Sequence, residues 1–166
     1  MGKVVRLIVL ALAITVAMAS AAMAAETAIK DDSNKYSRVL EEATDEEVDE
    51  LCRILYLECR GEPFSGKVAC VETIFNRVLS EDWPDTIHEV LSQAGQFATY
   101  RRIDRAYEIK ESNSEVAQAE ICRAIMQVYE NGLTVLPNEH YVYFDTRGIN
   151  GKSHIKVGNQ YFGAGR

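Results

Sequence analysis

The chain lacks metal ligands at useful spacing. Its 166 residues include four cysteines and three histidines. No two cysteines form a C-x-x-C pair, and His88, His140 and His154 lie far along the chain from Cys52, Cys59, Cys70 and Cys122. A structural zinc site takes four such ligands, normally in close pairs, so no metal and no cofactor is expected. A basic stripe is also missing. The formal net charge is −7, and without clustered Lys and Arg nothing neutralises a polyphosphate, which excludes nucleic acid as a partner. There is no internal repeat and no low-complexity tract, so this length allows one ordinary domain, expected as a monomer. Finally, no apolar run reaches the ~20 residues that span a bilayer.

The longest such run, "LIVLALAITVAMA", follows Lys3 and Arg6 and precedes Ala22 and Ala24. A short basic start, an apolar stretch and an A-x-A site are the three parts of a secretory signal. Cleavage is expected after Ala24, making residues 1–24 a signal peptide and the mature protein secreted or in the cell envelope, with no permanent membrane anchor. An uncleaved anchor would need a longer run. No cysteine follows the run closely, so a lipoprotein is not expected.

The acidity is unevenly placed. Residues 25–50 hold ten acids against three bases, whereas residues 51–166 hold fifteen acids and thirteen bases. Residues 25–43 read as a polar acidic linker and 44–166 as the domain. The four cysteines invite a disulfide reading in an exported protein. Cys52 and Cys59 cannot pair, because seven residues of helix separate them by about 10 Å, beyond the ~7 Å Cα limit. Each could pair only with Cys70 or Cys122. All four fall on apolar faces, where a cysteine also serves as a small hydrophobe.

Thr44 with Glu47 is a capping box. The helix that follows places Val48, Leu51, Cys52, Leu55 and Cys59 on one face, and Arg60-Gly61 ends it, with Gly61 available for a left-handed cap. Ser65 or Gly66 opens a second helix with Val68, Val71, Ile74, Phe75 and Val78 inward and Glu72 on its polar side. Thr86 with Glu89 caps a short helix. Ser112 with Glu115 caps another, which ends at Asn131-Gly132. After that the period changes. "YVYF" and "IKVGNQYF" read as two short strands joined through Asn150-Gly151. The fold class is α+β: a mainly helical domain with a short C-terminal β hairpin.

Within this frame Glu58 is out of place. It lies one position from the centre of an apolar stripe, and in the last turn of its helix. Burial and the helix dipole both disfavour an anion there. As structure, it would be a surface glutamate or one paired with Arg60 or Arg77. As function, it would be a general acid of the kind that glycoside cleavage uses. Glu62, next to Pro63, is pushed to an extended conformation, so the two glutamates do not share a helical face.

The stretch "LYLECRGEPFSGKVACVETIFNRV" resembles the signature of the spore cortex-lytic cell wall hydrolases, the SleB/CwlJ type. The matching positions are Glu58, Arg60, Gly61, Glu62, Pro63, Gly66, Val68, Ala69, Asn76, Arg77 and Val78. "WPDTIHEVLSQAGQF" continues the likeness at Pro84, Thr86, Val90, Gly95, Gln96 and Phe97, and "YVYF" and "KVGNQYF" carry it towards the C-terminus. The resemblance implies a small lysozyme-like domain, a peptidoglycan glycan strand as substrate and Glu58 as the catalytic residue. Many members are lytic transglycosylases. That chemistry needs one carboxylate, and the sequence offers no convincing second one: Glu62 is nearest, and Asp104 and Asp145 are unplaced. Gln96, Phe97, Tyr143 and Glu62 are expected at the substrate. Arg60, Gly61, Asn76 and Arg77 are expected as structural support, with Asn76-Arg77 bonding the end of the Glu58 helix. Trp83 reads as a packing plug. Gln160 stands where the family commonly has His, and Asp145-Thr146 where a His-Asn-like pair is common. The alternatives are a muramidase-like hydrolase of the same glycan and a non-catalytic wall-binding module.

Overall fold

The capping box at Thr44 is formed. In the computed structural model, which describes residues 34–109, 112–149 and 154–165, the Thr44 hydroxyl accepts from the Glu47 N–H at 3.2 Å and the Glu47 carboxylate accepts from the Thr44 N–H at 2.9 Å. Two of the helix's orphan donors are satisfied in this way. A short helix, α1 (Ser37–Glu41), precedes the one that this box starts, α2 (Asp45–Cys59). Then follow α3 (Phe64–Val78), α4 (Ile87–Ser92), a 3-10 helix (Tyr100–Glu108) and α5 (Ser114–Asn131). The strands are β1 (Tyr141–Asp145), β2 (His154–Val157) and β3 (Gln160–Ala164). The expected signal peptide and the Asn150-Gly151 turn lie outside the described residues.

The linker expected over 25–43 does not reach that far as a tether. Tyr36, Val39 and Leu40 are buried in the core. Asn34 donates to the carbonyls of Val128 and Tyr129 at 3.2 and 2.7 Å, capping the end of α5. Acid-rich composition hid these three apolar residues. Two helix starts also differ from expectation. Helix α3 begins at Phe64, after Pro63 as N-cap, and α5 begins at Ser114 after Asn113, with no side-chain cap at Ser112. The Thr86 cap of α4 is present.

Helix α3 is the centre of the molecule. Every residue from Gly66 to Arg77 is buried, because α2, α4 and α5 pack around it and β1 crosses it. A fully buried Ile or Phe contributes roughly 1.5–3 kcal/mol of transfer free energy, so Ile74 and Phe75, both 0% exposed, anchor this layer. Glu72 is therefore not on a polar side, as periodicity alone suggests; from Gly66 to Arg77 no side of α3 meets solvent. Its carboxylate accepts the Val135 and Leu136 N–H groups at 2.8 and 3.1 Å. Burial, opposed by those two bonds and by Lys35, holds it up at about 7. The buried Lys67 ammonium pairs with Glu120 at 3.0 Å and donates to the Glu62 carbonyl.

The sheet has three antiparallel strands in the order β1-β3-β2. The segment expected as one strand, "IKVGNQYF", is itself a hairpin that turns at Gly158-Asn159. Gly158 has φ +63°, and a Cβ there would come within 2.5 Å of Glu62 Oε2 and 2.9 Å of Pro63 Cδ. Only glycine lets the hairpin tip seat on the junction between α2 and α3.

Candidate active site

Glu58 sits at that junction, in the last turn of α2. It is half-buried, unlike Leu57 and Cys59 on either side, which are buried. Two contacts hold it. Thr99, just before the 3-10 helix, donates its hydroxyl to Glu58 Oε1. Gln160, at the start of β3, donates Nε2 to the Glu58 carbonyl at 3.1 Å. That carbonyl is one of the orphan acceptors that every helix C-terminus leaves, and the buried Gln160 amide satisfies it. Three separated segments thus meet at one residue. Sequence reasoning marked Gln160 only as a departure from a family pattern and missed Thr99. A hydroxyl two residues past Phe97, in the irregular "AGQFATY" segment, was the available signal.

The neighbouring expectations divide. Glu62 is tied to the scaffold: its Oε2 accepts the Asn159 N–H at 2.7 Å, which fixes the hairpin turn. Phe97 offers no face to a substrate. It is 6% exposed and packs against Phe144 at 6.0 Å and over Arg77 at 5.1 Å. Gln96, beside it, is exposed. Gly61 does not take a left-handed conformation; Arg60 ends α2 with φ −57° and ψ −33°, and the Glu62 N–H bonds back to the Cys59 carbonyl at 3.0 Å. Arg60 lies over the Tyr56 ring at 5.7 Å, bracing the last turn of α2.

Asn76 and Arg77 are structural, but they hold the sheet and not the end of α2. Asn76 accepts from the Tyr36 hydroxyl at 2.8 Å and donates to the Tyr141 carbonyl at 3.1 Å. Arg77 Nε donates to the Val142 carbonyl at 2.7 Å. Its guanidinium lies 4.3 Å from the Trp83 ring and 6.0 Å from that of Tyr143. Burial pushes this cation down to about 10. Nη1 is the buried side-chain nitrogen or oxygen among the described residues that has no hydrogen-bond partner; the flanking π faces supply its counter-charge. Trp83 meets Tyr143 edge-on at 5.6 Å. The two rings wall an open cavity of about 310 Å³ together with Asp82, Gln93 and His140. Asp145 is taken up by Arg147, whose N–H it accepts at 2.6 Å. Among the described residues, no group of three His, Cys, Asp or Glu side chains could hold a metal ion, and no helix is long and apolar enough to cross a membrane.

Residues 61–162 match the model of the cell wall hydrolase family. The chain belongs to the cell wall hydrolase family. The matched segment takes in Glu62, Arg77, Gln96, Tyr143 and Gln160, and it begins just after Glu58. Two solved structures share the fold of this cell wall hydrolase. One is the catalytic domain of the germination-specific lytic transglycosylase SleB from Bacillus anthracis, at TM-score 0.54 and 23% identity, covering 74% of this chain and 97% of that one. The other is the catalytic domain of the Bacillus cereus SleB protein, at TM-score 0.53 and 24% identity, covering 72% and 91%. At these identities the likeness is one of fold. No curated protein matches the chain. The mainly helical architecture with a small C-terminal sheet is therefore that of a SleB catalytic domain.

Proposed function

We propose that this cell wall hydrolase is exported and cleaves the glycan strand of peptidoglycan as a lytic transglycosylase, with Glu58 as its one acid and base. One observation carries the reading: Glu58 is a half-buried carboxylate at the junction held by a side-chain hydroxyl, while the other candidate carboxylates accept backbone N–H groups. Glu62 binds the Asn159 N–H, Glu72 binds two N–H groups inside the core, and Asp145 binds Arg147. A glycosidase that uses water works with two carboxyl groups, ~5–9.5 Å apart. A transglycosylase works with one. The related fold of a protein described as a germination-specific lytic transglycosylase supports the choice.

In the proposed reaction, Glu58 gives its proton to the glycosidic oxygen as the bond from muramic C1 to that oxygen breaks. The resulting carboxylate then takes the proton of the muramic C6 hydroxyl as O6 closes on C1, forming a 1,6-anhydro ring. Proton and bond counts balance without water, and the carboxyl ends as it began. Thr99 holds Oε1, so Oε2 is the oxygen assigned to the transfer. Gln160 sets the height of the helix end. Gln96, on the same segment as Thr99, and Tyr143, at the cavity wall, are assigned to substrate binding. Residues 1–24 would deliver the protein to its substrate and then be removed.

Mass spectrometry of purified peptidoglycan digested with residues 25–166 tests this. Fragments ending in anhydromuramic acid are expected. Reducing-end fragments would mean hydrolysis and overturn the single-carboxylate mechanism, and bound but intact glycan would mean a wall-binding module.

A further inference from the structure

The four cysteines, expected as small buried hydrophobes, stand in two neighbouring pairs. Cys52 on α2 neighbours Cys122 on α5, and Cys59 at the end of α2 neighbours Cys70 on α3. All four are free thiols here. Each pair joins two different helices, and no cysteine is left over. We propose that Cys52–Cys122 and Cys59–Cys70 are two disulfide bonds of the mature protein, an inference that rests on the reading of the chain as exported.

The surroundings suit each pair to a different stage. Cys52 and Cys122 are partly exposed, and the hydrogen bond from Cys52 draws the Cys122 thiol down to about 7. A half-exposed thiol that ionises near ambient pH is the better attacking group in thiol–disulfide exchange. Cys122 thiolate attacks an external disulfide, releasing one of its halves as a thiol. Cys52 then displaces the other half, so the pair loses two electrons and two protons and the oxidant becomes two thiols. Cys59 and Cys70 are 1% and 0% exposed, and burial pushes the Cys70 thiol well up, so this pair is oxidised while α2 and α3 are still coming together.

The second bond bears on the site. Cys59 is the residue after Glu58, and Cys70 Sγ lies 4.0 Å from the same Gln160 amide whose Nε2 holds the Glu58 carbonyl. Cys59–Cys70 would fasten the end of α2 to α3 directly beneath the candidate acid. The first bond would close the long loop that contains α3, α4 and the 3-10 helix, the kind of constraint that removes most entropy from the unfolded chain.

The test is peptide mapping, without reduction, of the full mature chain refolded in glutathione redox buffer. Linked peptides joining 52 to 122 and 59 to 70 are expected, with a thermal midpoint that drops by roughly 10 °C when the bonds are reduced. Cys122→Ala should remove the first linked peptide and spare the second. Four thiols that alkylate in the native, oxidant-treated protein, with a midpoint indifferent to reductant, would overturn the proposal, as would any other pairing. Glycan cleavage is measured on the same samples. Four free thiols in an active enzyme refute the bonds alone, and mapped bonds in an inert protein refute the enzymatic reading alone.

Discussion

Two glutamates on adjacent helices have opposite surroundings. Glu72, in the middle of α3, is 1% exposed, bound by two backbone N–H groups and raised by burial to about 7. Glu58, at the end of α2, is half-buried, with one side-chain hydroxyl on its carboxylate. A perturbed carboxyl is a common marker of function, and by that marker Glu72 would be chosen. The structure argues the other way. The strongly perturbed group is sealed beneath a loop and has all its acceptor work inside the core. The accessible group lies where three segments converge. Perturbation by burial reports a cost of folding, and accessibility decides which carboxyl can meet a substrate.

The comparison can be broken from the core side first. Arg77 shares α3 with Glu72 and ties it to β1. Arg77→Ala should lose about 3–4 kcal/mol of stability, since it empties the space between Trp83, Phe97 and Tyr143 and orphans the Val142 carbonyl. Urea denaturation measures this, and a loss below about 1 kcal/mol would show that the buried cation is not the sheet's anchor. On the open side, Glu58→Asp withdraws the carboxyl by one methylene. Cleavage should fall about 100-fold, as expected for a misplacement near 1 Å, with the thermal midpoint little changed. A variant that keeps wild-type rates would mean that this position does not need reach.

Glu72 gives the third effect, on stability against pH. Its carboxyl binds a proton more tightly folded than unfolded, because its ordinary value of 4.5 is raised to about 7. Stability should therefore fall as pH rises from about 4.5 to 7 and level off above, by up to ~3 kcal/mol. Glu72→Gln, which cannot ionise, should flatten that fall. Denaturation at pH 5 and pH 8 checks the sign, and an unchanged slope in the variant would exonerate Glu72. The smallest effect belongs to Thr99→Val, which keeps shape and removes the donor to Glu58 Oε1. About a 10-fold loss of rate is expected, in line with the loss of one hydrogen bond, and rescue by Thr99→Ser would distinguish the hydroxyl from packing.

These contrasts also show where the sequence was legible. Helix α2 could be read closely because its signals are local: a capping box at Thr44 and apolar residues at helical spacing. The odd position of Glu58 was legible for the same reason. What failed depended on distant partners. Helix α1 was hidden because Tyr36 and Leu40 are buried only once α5 and Asn76 cover them. Glu72 was assigned to a polar face because periodicity assumes that one side of a helix meets water, and from Gly66 to Arg77 α3 has no such side. Phe97 looked available because its segment is irregular, yet its ring closes the core over Arg77. The hairpin at Gly158 was missed because its turn is set by contact with Glu62 and Pro63, nearly a hundred residues away. Thr99 carries no motif; only the fold brings it to Glu58.

The most direct measurement is the initial rate of glycan cleavage by Glu58→Gln and Glu72→Gln side by side, both confirmed as folded. The account predicts a loss of at least ~100-fold for Glu58→Gln, the scale of general acid–base catalysis, and a rate within about 2-fold of wild type for Glu72→Gln at a pH where both proteins are stable. An active Glu58→Gln, or a Glu72→Gln that is folded and inert, would contradict it.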